Sequence, residues 1–531
     1  MAPGEPLRRA GILIPLFSMP SSTSWGIGEI HDIGRIARWL EAAGIGLLQL
    51  LPINELPSGE TSPYSALSAM AIDPQFITME RVEDFAAIGG EPQLESALRG
   101  RLDVVRSSLG INYAEVRDLK HTVLRRAFQH FRDTEWTGDS KRAASLRAYI
   151  GDQAWWLDEY ALFRALHARH GERPWSEWPE PLQGRQPDAL AAARDELADD
   201  ILYRQYLQWT ADEQWAAARH EAGAIALFGD LPFMVGRDSA DVWARQDEFR
   251  FDASVGVPPD AFSETGQDWG LPVYRWDVVA ERDFDWLRDR ARRNAALFDG
   301  YRVDHLVGFY RTYFRPHDGG EPQCTPSDPA AQTKLGEEVL QVLRLPGAEI
   351  VAEDLGLVPD FVRDSLARLD IPGYKVLRWE RHWRMDQQPF RDPAEYPPVA
   401  VATSGTHDTE PMATWWGAAP RDEKEAVLDI PSVRARLTRE ERAALPDAAG
   451  MPDRVRHALL EVLFESGASL LILPIQDVFG WRDRINQPAT VSPTNWVWRL
   501  PWPVDRLLAE RLAVDVAAQL KAWSRKSGRS R

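Results

Sequence analysis

Eight short apolar runs that alternate with helical patterns limit the folds open to this chain more than any other feature. The runs fall at 11–16, 46–51, 224–228, 301–303, 349–352, 374–377, 399–403 and 469–473, each followed by a segment rich in Asp, Glu, His, Gly or Pro. Between the first two, Asp32 can cap a helix whose Ile33, Ile36, Ala37 and Leu40 keep the i, i+3, i+4, i+7 spacing, and Gly44 can end it. Later, Leu335, Val339 and Val342 share one helical face, and 455–464 reads as another helix. Eight β/α units predict an α/β fold, a (β/α)8 TIM barrel with its chemistry at the C-terminal ends of the strands. An open doubly wound sheet is the competitor, but no G-x-G-x-x-G follows the first run.

One connection is too long for a crossover. Residues 58–200, after the second run, form a charged, largely helical stretch holding Trp155, Trp156, Trp175 and Trp178. It is predicted as a subdomain inserted on the catalytic rim. The expected division is 1–57 for barrel strands 1 and 2, 58–200 for the insertion, and 201–531 for the rest of the barrel. Further loop insertions are expected on the C-terminal face, among them a cleft-covering loop at 256–277. Residues 476–531 are too few for a sandwich domain, and the basic stretch 521–531 reads as a frayed, solvated end.

A length of 531 residues suits such a barrel with insertions. The net charge of −18 argues against nucleic acid or a membrane surface as partner. No run reaches the roughly 18 apolar residues of a membrane span. Arg8 and Arg9 before the 11–17 run raise the question of a signal peptide. That run is short and holds Pro15, so a buried first strand in a cytoplasmic protein is expected. Cys324 is the single cysteine, which leaves no intramolecular disulfide and no Cys-pair metal site. The 22 Trp outnumber 19 Phe and 12 Tyr, and such rings suit both cores and the apolar faces of sugars.

Three run ends carry candidate chemistry. The fourth closes on Arg302-Val303-Asp304-His305, where residues two apart share a face, so a guanidinium beside Asp304 could hold it ionised as a nucleophile. A structural Arg–Asp pair explains the same residues. The fifth closes on Glu353-Asp354, of which alternation lets only one face the site as a general acid, and Asp354 could instead cap a helix. The seventh closes on His407-Asp408, a pair able to bind sugar hydroxyls; further metal ligands at suitable spacing are not evident. Carboxylates from three strands of one barrel match retaining glycoside chemistry, which needs a nucleophile and an acid/base about 5 Å apart. Blander readings go to His31-Asp32 as turn and cap, to His167 and His170 as surface residues, and to Cys324 as a loop thiol without a base.

The motifs RVDH at 302–305, AEDLG at 352–356 and GTHDT at 405–409 resemble those of the 4-α-glucanotransferases, the amylomaltases or disproportionating enzymes of the α-amylase superfamily. The resemblance extends to SPYS at 62–65, GDLPFMV at 229–235, DSADVW at 238–243, GVPPDAFSETGQDWGLPVYRWD at 256–277, IPGYKVLRW at 371–379 and NWVWR at 495–499. It implies Asp304 as nucleophile, Glu353 as acid/base and Asp408 as the carboxylate that stabilises the transition state. It further implies Arg302 and His407 as supporting contacts, Asp230 and Tyr64 on the donor side, and Ser62 as a further substrate-binding residue. Asp260, Phe262 and Trp269 fall on the loop that covers the acceptor side. The implied substrates are maltooligosaccharides and starch- or glycogen-like α-1,4-glucans, with glucose as an acceptor, and no metal or organic cofactor is implied. Departures fall at Val307, where the family more often has Arg, at Ser65, and at Ala489, where it more often has Gly. An α-glucan hydrolase with the same carboxylates is the close alternative, and a non-catalytic glucan-binding module the distant one.

Overall fold

The computed structural model describes residues 8–259 and 266–530. The wall begins with β1 (Arg9–Leu13) and β2 (Leu47–Gln49) and resumes with β3 (Ala226–Leu231). The chain then leaves it for β4 (Phe249–Val257) and β5 (Gln267–Tyr274), and returns as β6 (Gly300–Val303). It leaves again for β7 (Thr312–Pro316) and β8 (Gln323–Thr325). Four strands complete the wall: β9 (Glu349–Ala352), β10 (Gly373–Val376), β11 (Ala400–Thr403) and β12 (Leu470–Pro474). The barrel closes in the order β1-β12-β11-β10-β9-β6-β3-β2, so all eight sequence runs are in it as expected. With side chains covered inside and out, its strands are continuous apolar runs such as the fully buried LLILP of β12. The leader-like run at 11–17 supplies β1, paired on both sides, with β2 and β12. No helix among the described residues is long and apolar enough to cross a membrane.

The other four strands form an antiparallel sheet, β5-β4-β7-β8, beside the barrel. The stretch expected as a loop at 256–277 therefore has strand structure at both sides of residues 260–265, and Cys324 stands on a strand rather than in a loop. Asp354 does not cap a helix. Its Oδ1 accepts from Tyr374 N at 2.7 Å, tying the end of β9 to β10. Gly373 makes room for it, since a Cβ there would stand 2.6 Å from the carboxylate.

Between β2 and β3 run helices at Ser96–Ser107, Tyr113–Phe131, Lys141–Arg169 and Pro187–Glu196. The next, Ala198–Ala222, packs on Asp32–Ala42 in the outer ring. Of the insertion's tryptophans, Trp156, Trp175 and Trp178 are buried core residues and Trp155 is half-buried; the indole N–H groups of Trp175 and Trp178 donate to the carbonyls of Arg237 and Arg173. Over its described residues, 521–530, the C-terminal stretch is packed rather than frayed, contrary to expectation. Helix Arg511–Lys526 packs on Asp32–Ala42, and buried Arg529 donates to the carbonyls of Phe464 at 2.7 Å, Ser469 at 2.8 Å and Arg9 at 3.1 Å. Those carbonyls lie at the end of a helix and at the start of two barrel strands, and Ser469 O also accepts from Arg9 N at 2.9 Å, so Arg529 ties the β1–β12 seam to the helix before it.

The two histidines read as surface residues differ. His170 is half-buried against Trp178, whereas His167 is fully enclosed, with Nδ1 3.0 Å from Glu172 and Nε2 2.9 Å from Asp238. Burial opposes protonation, but the two carboxylates win and raise the His167 pKa. Burial likewise pushes Glu172 up, and His167 with Arg164 brings it down to about 2. A raised histidine stabilises the fold below its unfolded pKa of about 6.5 and loses that contribution as pH rises through its folded value. His167→Gln should therefore cost about 2 kcal/mol at pH 6. The deficit should shrink as the solution turns alkaline. Melting curves of both proteins from pH 5.5 to 9 test this; a gap that stays constant with pH would reject a charged His167.

Candidate active site

The barrel ladder continues beyond the strands and positions the first two carboxylates. Asp304 N donates to Leu231 O and Glu353 N to Val303 O, both at 3.0 Å, so each residue stands one step past its strand on neighbouring staves. Register pairs Asp230 on β3 with Arg302 on β6, which sets their side chains side by side. Arg302 Nη1 reaches both Asp230 oxygens at 2.9 and 2.8 Å, and its Nη2 lies 2.7 Å from Asp304 Oδ1. The pair inferred from the sequence is thus a three-member clamp whose second anion, Asp230, comes from the adjacent strand.

The chain of contacts continues around the mouth. Tyr64 Oη donates to Asp230 Oδ2 at 2.7 Å and lies 3.0 Å from His407 Nε2, and the two rings stack at 5.6 Å. His407 Nε2 is 3.3 Å from Asp408 Oδ2, and Asn486 Nδ2 donates to Asp408 Oδ1 at 2.6 Å. Burial raises Asp230 to about 6 despite Arg302. Burial also opposes ionisation of Asp408, yet His407 and Asn486 bring it down to about 2. Glu353 is pushed up to about 7, mainly by burial, with the Asp304 and Asp354 charges adding to the rise against Arg302's opposing pull. Its Oε2 accepts from His305 N at 2.9 Å. Glu353 thus holds a proton near neutrality while Asp408 does not, the pattern of an acid working beside a charged carboxylate.

The mouth opens into a cleft of about 810 Å³. Arg302, Glu353 and Asp408 lie in its wall, with Trp269 of β5, Val307, Cys324 and Ala489. Asp304 is a quarter exposed. Tyr64, Asp230 and His407 do not line this cleft; they are buried or half-buried and reach it through hydrogen bonds. Ser62 does not line it either: its Oγ accepts from Tyr64 N at 3.4 Å, at the turn that presents Tyr64. Asp260 and Phe262 lie outside the described residues. The insertion, expected on the catalytic rim, contributes nothing to the cleft: none of the described residues 58–200 lines the wall.

Several residues of the site were missed. Asn486 fixes Asp408, helped by Arg484, whose Nη2 donates to Asp408 O at 2.6 Å. Trp496, from NWVWR, packs 5.9 Å from both Tyr64 and His407. His305, at φ +42, turns its backbone N–H onto Glu353 and meets Trp269 edge-on at 4.9 Å. Ala489 adopts φ +57, which accounts for the glycine more usual there. The motif resemblance was the one signal for these positions, since each acts from a loop without periodicity.

A closed parallel barrel with carboxylates at its C-terminal mouth is the architecture of a carbohydrate-active barrel, and comparison places it further. An amylomaltase from Streptococcus agalactiae, solved in complex with acarbose, superposes with a TM-score of 0.81 at 25% identity, over 99% of this chain and 100% of that one. The amylomaltase of Corynebacterium glutamicum gives 0.78 at 26% identity, over 97% and 75%. A 4-alpha-glucanotransferase of Thermus thermophilus is 33% identical over 538 residues, covering 97% of this chain and 98% of the relative. One from Chlamydia pneumoniae is 31% identical, covering 92% and 91%. The model of glycoside hydrolase family 77, described as 4-alpha-glucanotransferase, matches residues 14–505. The chain belongs to that family.

Proposed function

We propose that the protein is a 4-α-glucanotransferase acting by retaining double displacement, with Asp304 as nucleophile, Glu353 as acid/base and Asp408 as the stabilising carboxylate. The observation that carries the assignment is the pairing of Asp304 with Arg302 beside a Glu353 raised to about 7. Glu353 gives its proton to the glycosidic oxygen as Asp304 attacks the anomeric carbon. The C–O bond breaks, the glucan leaves as an alcohol, and a glucosyl ester forms on Asp304 with inverted configuration. A second glucan then offers its 4-hydroxyl, Glu353 takes that proton, and the ester opens to restore an α-1,4 bond. Asp408, ionised and held by Asn486 and His407, is available for hydroxyls of the distorted ring.

Maltooligosaccharides and starch- or glycogen-like α-1,4-glucans are the proposed donors, with a glucan or glucose as acceptor. Trp269 and His305 offer rings in the cleft wall to hold an acceptor and exclude water, the preference that separates transfer from hydrolysis. A cytoplasmic place is part of the same reading. Incubation with maltotriose, resolved by chain length, is the test. Glucose with maltopentaose and longer products is expected; glucose and maltose alone would reject transfer in favour of hydrolysis.

A further inference from the structure

A second cavity lies between the segment after β2 and the inserted helices. It holds about 390 Å³, within the roughly 300–1,000 Å³ of small-molecule sites. Leu56, Leu124 and Leu207 give it apolar wall, and exposed Ala114, Asp118 and His121 stand where it meets solvent. The acids around it are already satisfied. Glu55 accepts from Arg164 Nε at 3.0 Å and from the Tyr160 hydroxyl. Glu172 is shared by Arg164 and His167, and Asp118 pairs with Arg101 at 2.6 Å. Asp73 accepts from the backbone N–H of Leu56 at 3.1 Å and of Gln75 at 2.9 Å. Lys120 is taken by Glu29 at 2.6 Å.

Arg204 stands apart from this balance. It lines the cavity at 5% exposure and makes no hydrogen bond or ion pair with any described residue, and its Nε is buried without a partner. Glu55 and Glu172, whose charges it feels, stay beyond ion-pair distance and are held by Arg164. The Tyr203 ring, 5.5 Å from its guanidinium carbon, supplies no anion. Arg117, also in the wall, makes one hydrogen bond, a long 3.5 Å contact to Leu56 O. The Tyr203 hydroxyl is buried and unpartnered as well. An enclosed guanidinium without an anion is costly, and its planar fork is matched to carboxylate and phosphate oxygens. Two guanidinium groups and a hydroxyl suit a dianion with three free oxygens better than a single carboxylate, and the volume leaves room for an organic part.

We infer that this cavity binds a phosphate-class oxyanion, either free phosphate or the phosphate of a small monoester, through Arg204 and Arg117. The test is thermal unfolding and calorimetric titration of the full chain with inorganic phosphate and, separately, glucose 6-phosphate, against chloride at matched ionic strength. A saturating rise in Tm with at least one phosphate is expected, and the tighter of the two identifies the source. Arg204→Met should fold at least as stably without phosphate, because it removes an unpaired buried charge, and should lose the rise. Arg117→Ala, at a half-exposed position, should weaken binding about tenfold, the loss of one charge-assisted contact. No rise beyond chloride in the wild type overturns the site, as does an equal rise in Arg204→Met. Unchanged affinity in Arg117→Ala would also overturn it, and that variant carries the test should Arg204→Met not fold.

Discussion

In Asp304→Asn, release of glucose from maltotriose should fall by about four orders of magnitude or more, the scale of losing a nucleophile. The fold should survive. Arg302 keeps both bonds to Asp230, so its guanidinium is not stranded, and the substituted residue retains the backbone bond to Leu231 O. Melting temperature should move by little, and maltooligosaccharide affinity by a few-fold at most, because the ground-state sugar gains nothing from a bond formed only later. Asp230→Asn provides the contrast. It removes the clamp's other anion but no reacting atom, so partial activity should remain. Assays of kcat alongside calorimetric glucan binding separate the cases, and near-normal turnover in Asp304→Asn would sink the nucleophile assignment.

The barrel was legible because each strand is a short apolar run with a helix after it, a pattern that survives without knowledge of partners. The rim sheet was not read from the sequence, although part of its signal is there. Phe249, Phe251, Ala253 and Val255 alternate with polar residues, a clean period of two for β4, whereas Gly270 and Pro272 interrupt the same signal in β5. At the site, alternation put Arg302 and Asp304 on one face but did not say that Asp230 shares the guanidinium, since that depends on the β3–β6 register. Nor could Asn486 be tied to Asp408 by pattern, because the contact joins loops 78 residues apart. The C-terminal basic residues were misread for a related reason. Charge suggested solvent, while the cluster of carbonyls that Arg529 reaches comes together only once the barrel has closed.

Glu353→Gln should lower transfer from maltotriose by about two to four orders of magnitude, the usual share of general acid–base catalysis. Its effect should depend on the leaving group. A glucosyl fluoride needs little protonation, so the variant should still form the ester on Asp304, which then accumulates and can be seen as added mass on the intact protein. The pH profile carries a sharper expectation. An acid must be protonated to act, and burial holds Glu353 near 7, so the wild-type rate of ester formation from maltotriose should fall as pH rises through about 7. The Asp304 charge is one cause of that elevation. Once Asp304 is esterified the charge is gone, the Glu353 pKa drops, and the same carboxyl is left ionised to take the acceptor's proton. The alkaline limb should therefore appear in ester formation but be absent from its breakdown. Rapid mixing separates the two steps, with maltotriose reporting formation and ester preloaded from the fluoride reporting breakdown. A limb that persists unchanged in Glu353→Gln would assign the proton to another group, and the site offers Asp230, raised to about 6, and His407, which Asp408 raises against burial.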